Sequence, residues 1–193
     1  QFDDAIEVSD SPIRLIDHIE RDSGPLFVAL SENGELKIHR IHVKENLLTG
    51  EITLQDDASP LPYAPPAEGL PRYIKVIGRG DSICLIWSGG RLLRYDVRDV
   101  SQPTVAEDVA LLDDQPGSTV SAAALILGRS TLLVGSSQGG LSAWFGARPK
   151  DATTVDGWVL MKTRNFPVPI DAPAVMSLGI SSRSRIAAVG YAD

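Results

Sequence analysis

Three stretches of the chain share one alternation of apolar and polar positions. Phe27-Val28-Ala29-Leu30 is followed by a polar turn and then Gly34-Glu35-Leu36-Lys37-Ile38-His39. Ile83 to Trp87 is followed by Ser88-Gly89 and Gly90-Arg91-Leu92-Leu93-Arg94-Tyr95. Leu132-Leu133-Val134 is followed by Ser136-Ser137-Gln138 and Gly139-Gly140-Leu141-Ser142-Ala143-Trp144. Each unit is a β-prone apolar run, a turn of small or polar residues, and Gly-x-Leu-x-x ending in an aromatic residue or His, which predicts a β-hairpin. The glycine supplies the positive φ that a tight hairpin connection needs. Leu36, Leu92 and Leu141 then point to one face of the returning strand. A fourth copy starts at Ile186-Ala187-Ala188-Val189-Gly190-Tyr191 and stops before its own glycine.

Further β-rich runs flank each hairpin. Upstream lie Ile13 to His18, Tyr73 to Ile77, Val120 to Leu127 and Val175 to Ile180; downstream lie Gly50 to Leu54, Val105 to Leu112 and Trp158 to Met161. A repeat of about 50 residues with four short strands has the period and strand count of a propeller blade. A β-sandwich also shows frequent turns, but it does not require a whole four-strand unit to recur. No segment combines a sustained helical apolar period with caps, so little helix is expected. The fold expected is an all-β, WD40-like partial β-propeller of about three and a half four-stranded blades, spanning residues 1–193 as one incomplete domain. Its blades run over residues 10–58, 70–115, 117–167 and a truncated 172–193, and the Pro-rich stretch Pro60 to Pro71 connects the first two. Propellers close with about four to eight blades, so this arc is open. Missing sequence or a second copy of the chain would cover its open sheet edges, the latter by self-association.

Composition narrows the function. The 193 residues are too few for two domains at roughly 150 residues each. Hydrophobic residues at 43% and charged residues at 22% are ordinary for a packed domain. The net charge of −7 argues against a nucleic-acid partner, whose phosphates need a basic surface. The single cysteine, Cys84, has no disulfide or C-x-x-C partner and sits in an apolar run, where a thiol behaves as a small hydrophobe. No window approaches the roughly 20 apolar residues of a membrane helix, and the chain opens without the regions of a signal peptide. Gln1 in place of Met, together with the ending at Asp193, reads as a piece cut from something longer.

Candidate chemistry is sparse. Arg79-Gly80-Asp81 reads as a turn between blades. His39 and His42 are three residues apart and belong on opposite strand faces; with His18 they make no metal site. Asp56-Asp57 and Asp113-Asp114 lack the alternating spacing of a calcium loop and read as solvated loop charges. Gly135 to Gly140 has neither the Lys-Ser/Thr of a P-loop nor a following helix, and Gly-x-Ser-x-Gly is absent. Arg183 and Arg185 form a local basic cluster, read as solubilising. The expectation is no enzyme activity, no catalytic, metal or cofactor-binding residues, and no cofactor.

Three segments resemble a known family. Gly128-Arg129-Ser130-Thr131-Leu132-Leu133-Val134-Gly135, continuing to Ser142-Ala143-Trp144-Phe145, is similar to a stretch in permease subunits of phosphate-type ABC transporters that carry a large extracytoplasmic insertion. Val43 to Ile52 and Ser181 to Asp193 are similar to other parts of that insertion, and the likeness covers the chain from about Ile38 onward. The resemblance implies a bacterial inner-membrane importer of inorganic phosphate with this domain periplasmic. Its partners would be the second permease, the ATPase and the phosphate-binding protein. The family's transport residues lie on membrane helices outside these residues, so none is carried over. The expected role is a docking or regulatory module. A WD-like interaction scaffold is the alternative; a propeller hydrolase would need a ring of acidic or His ligands that the sequence does not offer.

Overall fold

The computed structural model describes residues 7–63, 69–168, 171, 173–181 and 185–192, and among them every regular element is a β-strand. No helix among the described residues is long and apolar enough to cross a membrane. Blade 1 comprises β1 (Ile13–Ile19), β2 (Leu26–Ser31), β3 (Leu36–Glu45) and β4 (Ile52–Pro60). Blade 2 comprises β5 (Tyr73–Ile77), β6 (Ser82–Ile86), β7 (Arg91–Asp96) and β8 (Thr104–Ala110). Blade 3 comprises β9 (Val120–Ile126), β10 (Thr131–Ser136), β11 (Leu141–Ala147) and β12 (Val159–Asn165). The last sheet has two strands, β13 (Val175–Ile180) and β14 (Ala187–Tyr191). Every sheet is antiparallel with strands in chain order, and the first strands β1, β5, β9 and β13 are successive neighbours. The sheets are the blades of a partial β-propeller, stacked face to face around these inner strands.

The predicted glycine turns recur with one geometry. Gly34, Gly90 and Gly139 have φ of 88°, 91° and 80°. Their N–H groups donate to Ser31, Trp87 and Ser136 carbonyls at 3.0, 3.1 and 3.1 Å. Period-2 alternation then assigns each central strand two buried faces. Ile83, Leu85 and Trp87 join Leu26, Val28, Leu30 and Ile38 in the core between blades 1 and 2. Cys84, Ile86 and Leu92 join Leu132, Val134 and Trp144 in the core between blades 2 and 3. Leu133 and Ala143, on the far face of blade 3, meet Leu178, Ile180 and Ala187.

The outer strands depart from the expected bounds. β4 runs to Pro60, well beyond Leu54, because β3 offers a backbone ladder along its whole length, back to Lys37, which pairs with Pro60. β12 starts at Val159 and continues to Asn165. Arg79-Gly80-Asp81 lies within blade 2, linking β5 to β6, and does not connect blades. Residues 64–68 of the Pro-rich connector lie outside the described residues.

Gly135 marks where the two-stranded sheet packs on blade 3. A Cβ at this position would lie 2.5 Å from Val175 Cγ1, and Val175 is fully buried. Gly135→Ala is therefore expected to destabilise the chain by about 1–3 kcal/mol through overpacking, measured by urea denaturation, with Val175→Ala in the same chain recovering part of the loss. An unchanged midpoint for Gly135→Ala would contradict this packing.

Candidate functional site

Blades 2 and 3 are joined by a buried ion cluster. In the register of blade 2, Lys75, Cys84, Arg94 and Glu107 lie side by side across its four strands, so all four share the face toward blade 3. Arg94 Nε donates to Glu107 Oε2 at 2.5 Å. Its Nη1 reaches Asp156 Oδ2, and its Nη2 donates to Asp156 Oδ1 at 3.1 Å and to the Trp158 carbonyl at 2.7 Å. Glu107 in turn accepts the backbone N–H of Leu160 at 3.0 Å. Arg94 and Asp156 are only 5% and 4% exposed. Burial works against the Arg94 charge, but the hydrogen bonds of Asp156 and Glu107 outweigh it and raise its pKa further. Burial likewise opposes ionisation of Asp156; the Arg94 hydrogen bonds overcome it and hold the carboxyl below its ordinary range.

A second cluster ties the inner strands. Asp17 Oδ2 of β1 accepts the Val76 N–H of β5 at 2.7 Å and also pairs with Arg129, whose Nε donates to the Val76 carbonyl at 2.8 Å. Arg129 sits in the β9–β10 turn at φ 66°. One carboxylate and one guanidinium thus connect three blades. Burial lowers the pKa of Lys75, Asp17 opposing and Arg129 adding to the effect.

Above the Arg94 cluster, a pocket of about 180 Å³ opens between blades 2 and 3. Ile77, Phe145, Val159 and Leu160 give it apolar walls, and Asp81, Asp96, Arg98, Arg148 and Trp158 surround them. Arg98 is engaged by Asp96, its Nη2 2.6 Å from Oδ2. The Arg148 guanidinium lies over the Trp158 ring, 4.4 Å from its centroid. The pocket is at the end of the stack that carries the first and third connections of each blade. Exposed Leu47 and Leu48, in the β3–β4 connection, and Leu127 and Val155, in blade 3, lie at the same end.

The residues singled out in the sequence are distributed as follows. His39 Nδ1 lies 2.7 Å from Asp56 Oδ2 and its ring stacks on Phe27, while His42 Nε2 lies 3.0 Å from Asp57 Oδ2. Asp56 and Asp57 are not loop charges: they lie in β4 beside the histidines. Asp113 and Asp114 are exposed in the turn after β8, as expected, and receive Lys162 Nζ at 2.9 and 2.7 Å. His18 is on β1 opposite Phe27. Of the basic cluster, Arg183 lies outside the described residues. The Arg94 cluster was missed by sequence reasoning, although a charged residue between Leu93 and Tyr95, inside an apolar run, was its one visible signal.

The cluster and its neighbour Cys84 generate three predictions. Arg94→Met leaves two buried carboxylates unpaired, and urea denaturation should show a loss of about 3–5 kcal/mol; adding Asp156→Asn and Glu107→Gln should restore part of it, and strict additivity would refute the coupling. Because the Asp156 pKa is depressed on folding, the unfolded chain binds its proton first as pH falls. The stability from this group is thus present above the ordinary carboxylate pKa of about 4 and lost below it. Asp156→Asn should flatten the acid limb of the stability-pH curve. Burial pushes the Cys84 thiol up to about 12, with Arg94 opposing and Glu107 adding. A thiol reagent at neutral pH should therefore modify it only at the unfolding rate, and fast labelling of the native chain would contradict this burial.

No family model matches the chain, and no curated protein matches it. Among solved structures, the chain is similar to the crystal structure of Kluyvelomyces marxianus Hsv2, at 11% identity and a TM-score of 0.47, over 95% of this chain. It spans 65% of that chain's length.

Proposed function

We propose that this chain is a docking module without chemistry of its own, the extracytoplasmic domain of a phosphate-type ABC transporter permease. Stacked-blade architectures commonly take partners on exposed loops and edges, which supports the broader reading as a protein-interaction scaffold. The finer reading is supported by the resemblance of Val43–Ile52, Gly128–Phe145 and Ser181–Asp193 to the insertion of such permeases. The observation that carries it is the far end of the β3–β4 hairpin. Val43 and Ile52 are exposed there, and Leu47 and Leu48 are 90% and 97% exposed. This apolar tip coincides with one of the three resembling segments. His42, Lys44, Gln55 and Asp57 occupy the opposite face of the same hairpin, paired among themselves at 2.7 Å for Lys44–Gln55 and 3.0 Å for His42–Asp57. An apolar tip on a polar stem is suited to contact another protein surface. In this reading the contacts are with the phosphate-binding protein, the second permease or the ATPase-bearing assembly, on the periplasmic side of a bacterial inner membrane.

The test is phosphate uptake by the parent permease. Leu47→Ser with Leu48→Ser should leave the unfolding midpoint within about 0.5 kcal/mol, since both side chains are solvent-exposed. The same pair should reduce uptake at limiting phosphate at least severalfold. Deleting the domain should do at least as much. Uptake kinetics unchanged in both variants would overturn the transporter role.

A further inference from the structure

We infer that the pocket between blades 2 and 3 is a socket for one large apolar side chain of a partner polypeptide, with an adjacent carboxylate of that polypeptide received by Arg148. The inference rests on the docking reading above and assigns it a second contact point, separate from the β3–β4 tip. Size comes first. A cavity of about 150 Å³ suffices for a benzene ring, whereas pockets for drug-sized molecules span roughly 300–1,000 Å³. At about 180 Å³, with walls of Ile77, Phe145, Val159 and Leu160, this one fits a single phenyl or branched aliphatic group.

Charge identifies what sits beside that group. The lining carries three arginines and three aspartates, but they are not equivalent. Arg94 is consumed by Asp156 and Glu107, and Arg98 by Asp96. Asp81 acts electrostatically on Arg21 of blade 1. Arg148 is the lining cation with no carboxylate in range among the described residues; its guanidinium carbon instead lies over the Trp158 ring, 4.4 Å from the centroid. Stacking fixes the plane of a guanidinium and leaves its N–H edge free for a carboxylate. An apolar socket with an unneutralised arginine seated over an indole ring at its rim selects an apolar residue next to Asp or Glu.

A polypeptide is favoured over a free aromatic acid by what surrounds the socket. Leu127 and Val155 are exposed at the same end of the stack and are close in sequence to the lining residues Ser130 and Asp156. They offer apolar area outside the pocket that a ligand of the pocket's own size leaves uncovered, while a chain running across the mouth covers it as the rim of an anchor contact.

The experiment titrates the 193-residue chain with the peptide acetyl-Ala-Phe-Glu-Ala-amide, following backbone amide shifts. Comparators replace Phe by Ala or Glu by Gln, and 3-phenylpropionate serves as the free small acid. The expected shifts centre on Ile77, Phe145, Arg148 and Trp158. Binding should weaken about tenfold without the phenyl ring. It should weaken roughly fivefold when Glu becomes Gln, with that preference abolished in Arg148→Ala. The peptide pair reads the charge contact without altering the fold. Shifts centred elsewhere, no saturation in the millimolar range, or a Glu preference that survives Arg148→Ala would overturn the socket. So would 3-phenylpropionate binding as tightly as the peptide, which would reassign the pocket to small acids. Uptake is a separate readout: a peptide-binding socket in a domain whose deletion leaves uptake unchanged keeps the socket and rejects the transporter role.

Discussion

A four-stranded antiparallel sheet has two faces and can bury neither by itself. Everything else in this structure depends on each sheet stacking against the next. The constraint is visible in single strands: β6 sends Ile83 and Leu85 toward blade 1 and Cys84 and Ile86 toward blade 3. That is why the middle strands are continuous apolar runs, while β4 and β8, at the rim, alternate or are largely exposed. Large aromatic groups occupy the interfaces, with Trp87 and Tyr95 between blades 1 and 2 and Trp144 between blades 2 and 3. The non-directional hydrophobic term supplies the adhesion.

Adhesion between two slippery apolar faces does not fix how they are aligned. The buried ions do. Arg94 reaches Asp156 and the Trp158 carbonyl only when blade 3 is placed correctly along blade 2. Asp17 and Arg129 impose the same condition near the inner strands. Buried ion pairs contribute little net stability, because desolvation offsets much of their attraction. Their consequence is geometric, since misaligned stacks would leave charges buried without partners. The pocket inherits this precision, its polar floor being the face of Arg94 that also holds the two blades in register.

The central hairpins were legible in the sequence because two local signals coincide there, period-2 alternation and a turn glycine that needs positive φ. The outer strands were less so: β4 carries Gln55, Asp56 and Asp57, residues that read as loop, and is a strand only because β3 supplies a ladder. The contact made by the exposed turn carboxylates Asp113 and Asp114 was hidden for a related reason. Lys162 is 48 residues from Asp114, and no local pattern announces such a partner. Arg94 was detectable as an anomaly, a charge within an apolar run, but its partner Asp156 is 62 residues away. The pocket walls come from both blades, so no single segment could announce it.

The two ends of the stack are built under different rules. At one end the second connections follow a single template: Ser31, Trp87 and Ser136 each donate an N–H to the carbonyl four residues on, at 2.9 Å. Gly90 is packed so closely there that a Cβ would lie 3.0 Å from Leu112. A turn so constrained has little freedom to vary. At the opposite end the connections differ in length and in side chains, from the Leu47-Leu48 tip to the Leu127-Gly128-Arg129 turn, where all three residues have positive φ or, for the tip, solvent on their side chains. The blade-to-blade alignment set by Arg94 and Asp17 supports those connections without dictating their sequence. Freedom to vary on a rigid support is what a recognition surface requires, and in the docking role proposed above the partner contacts fall at the end with the pocket, away from the glycine turns.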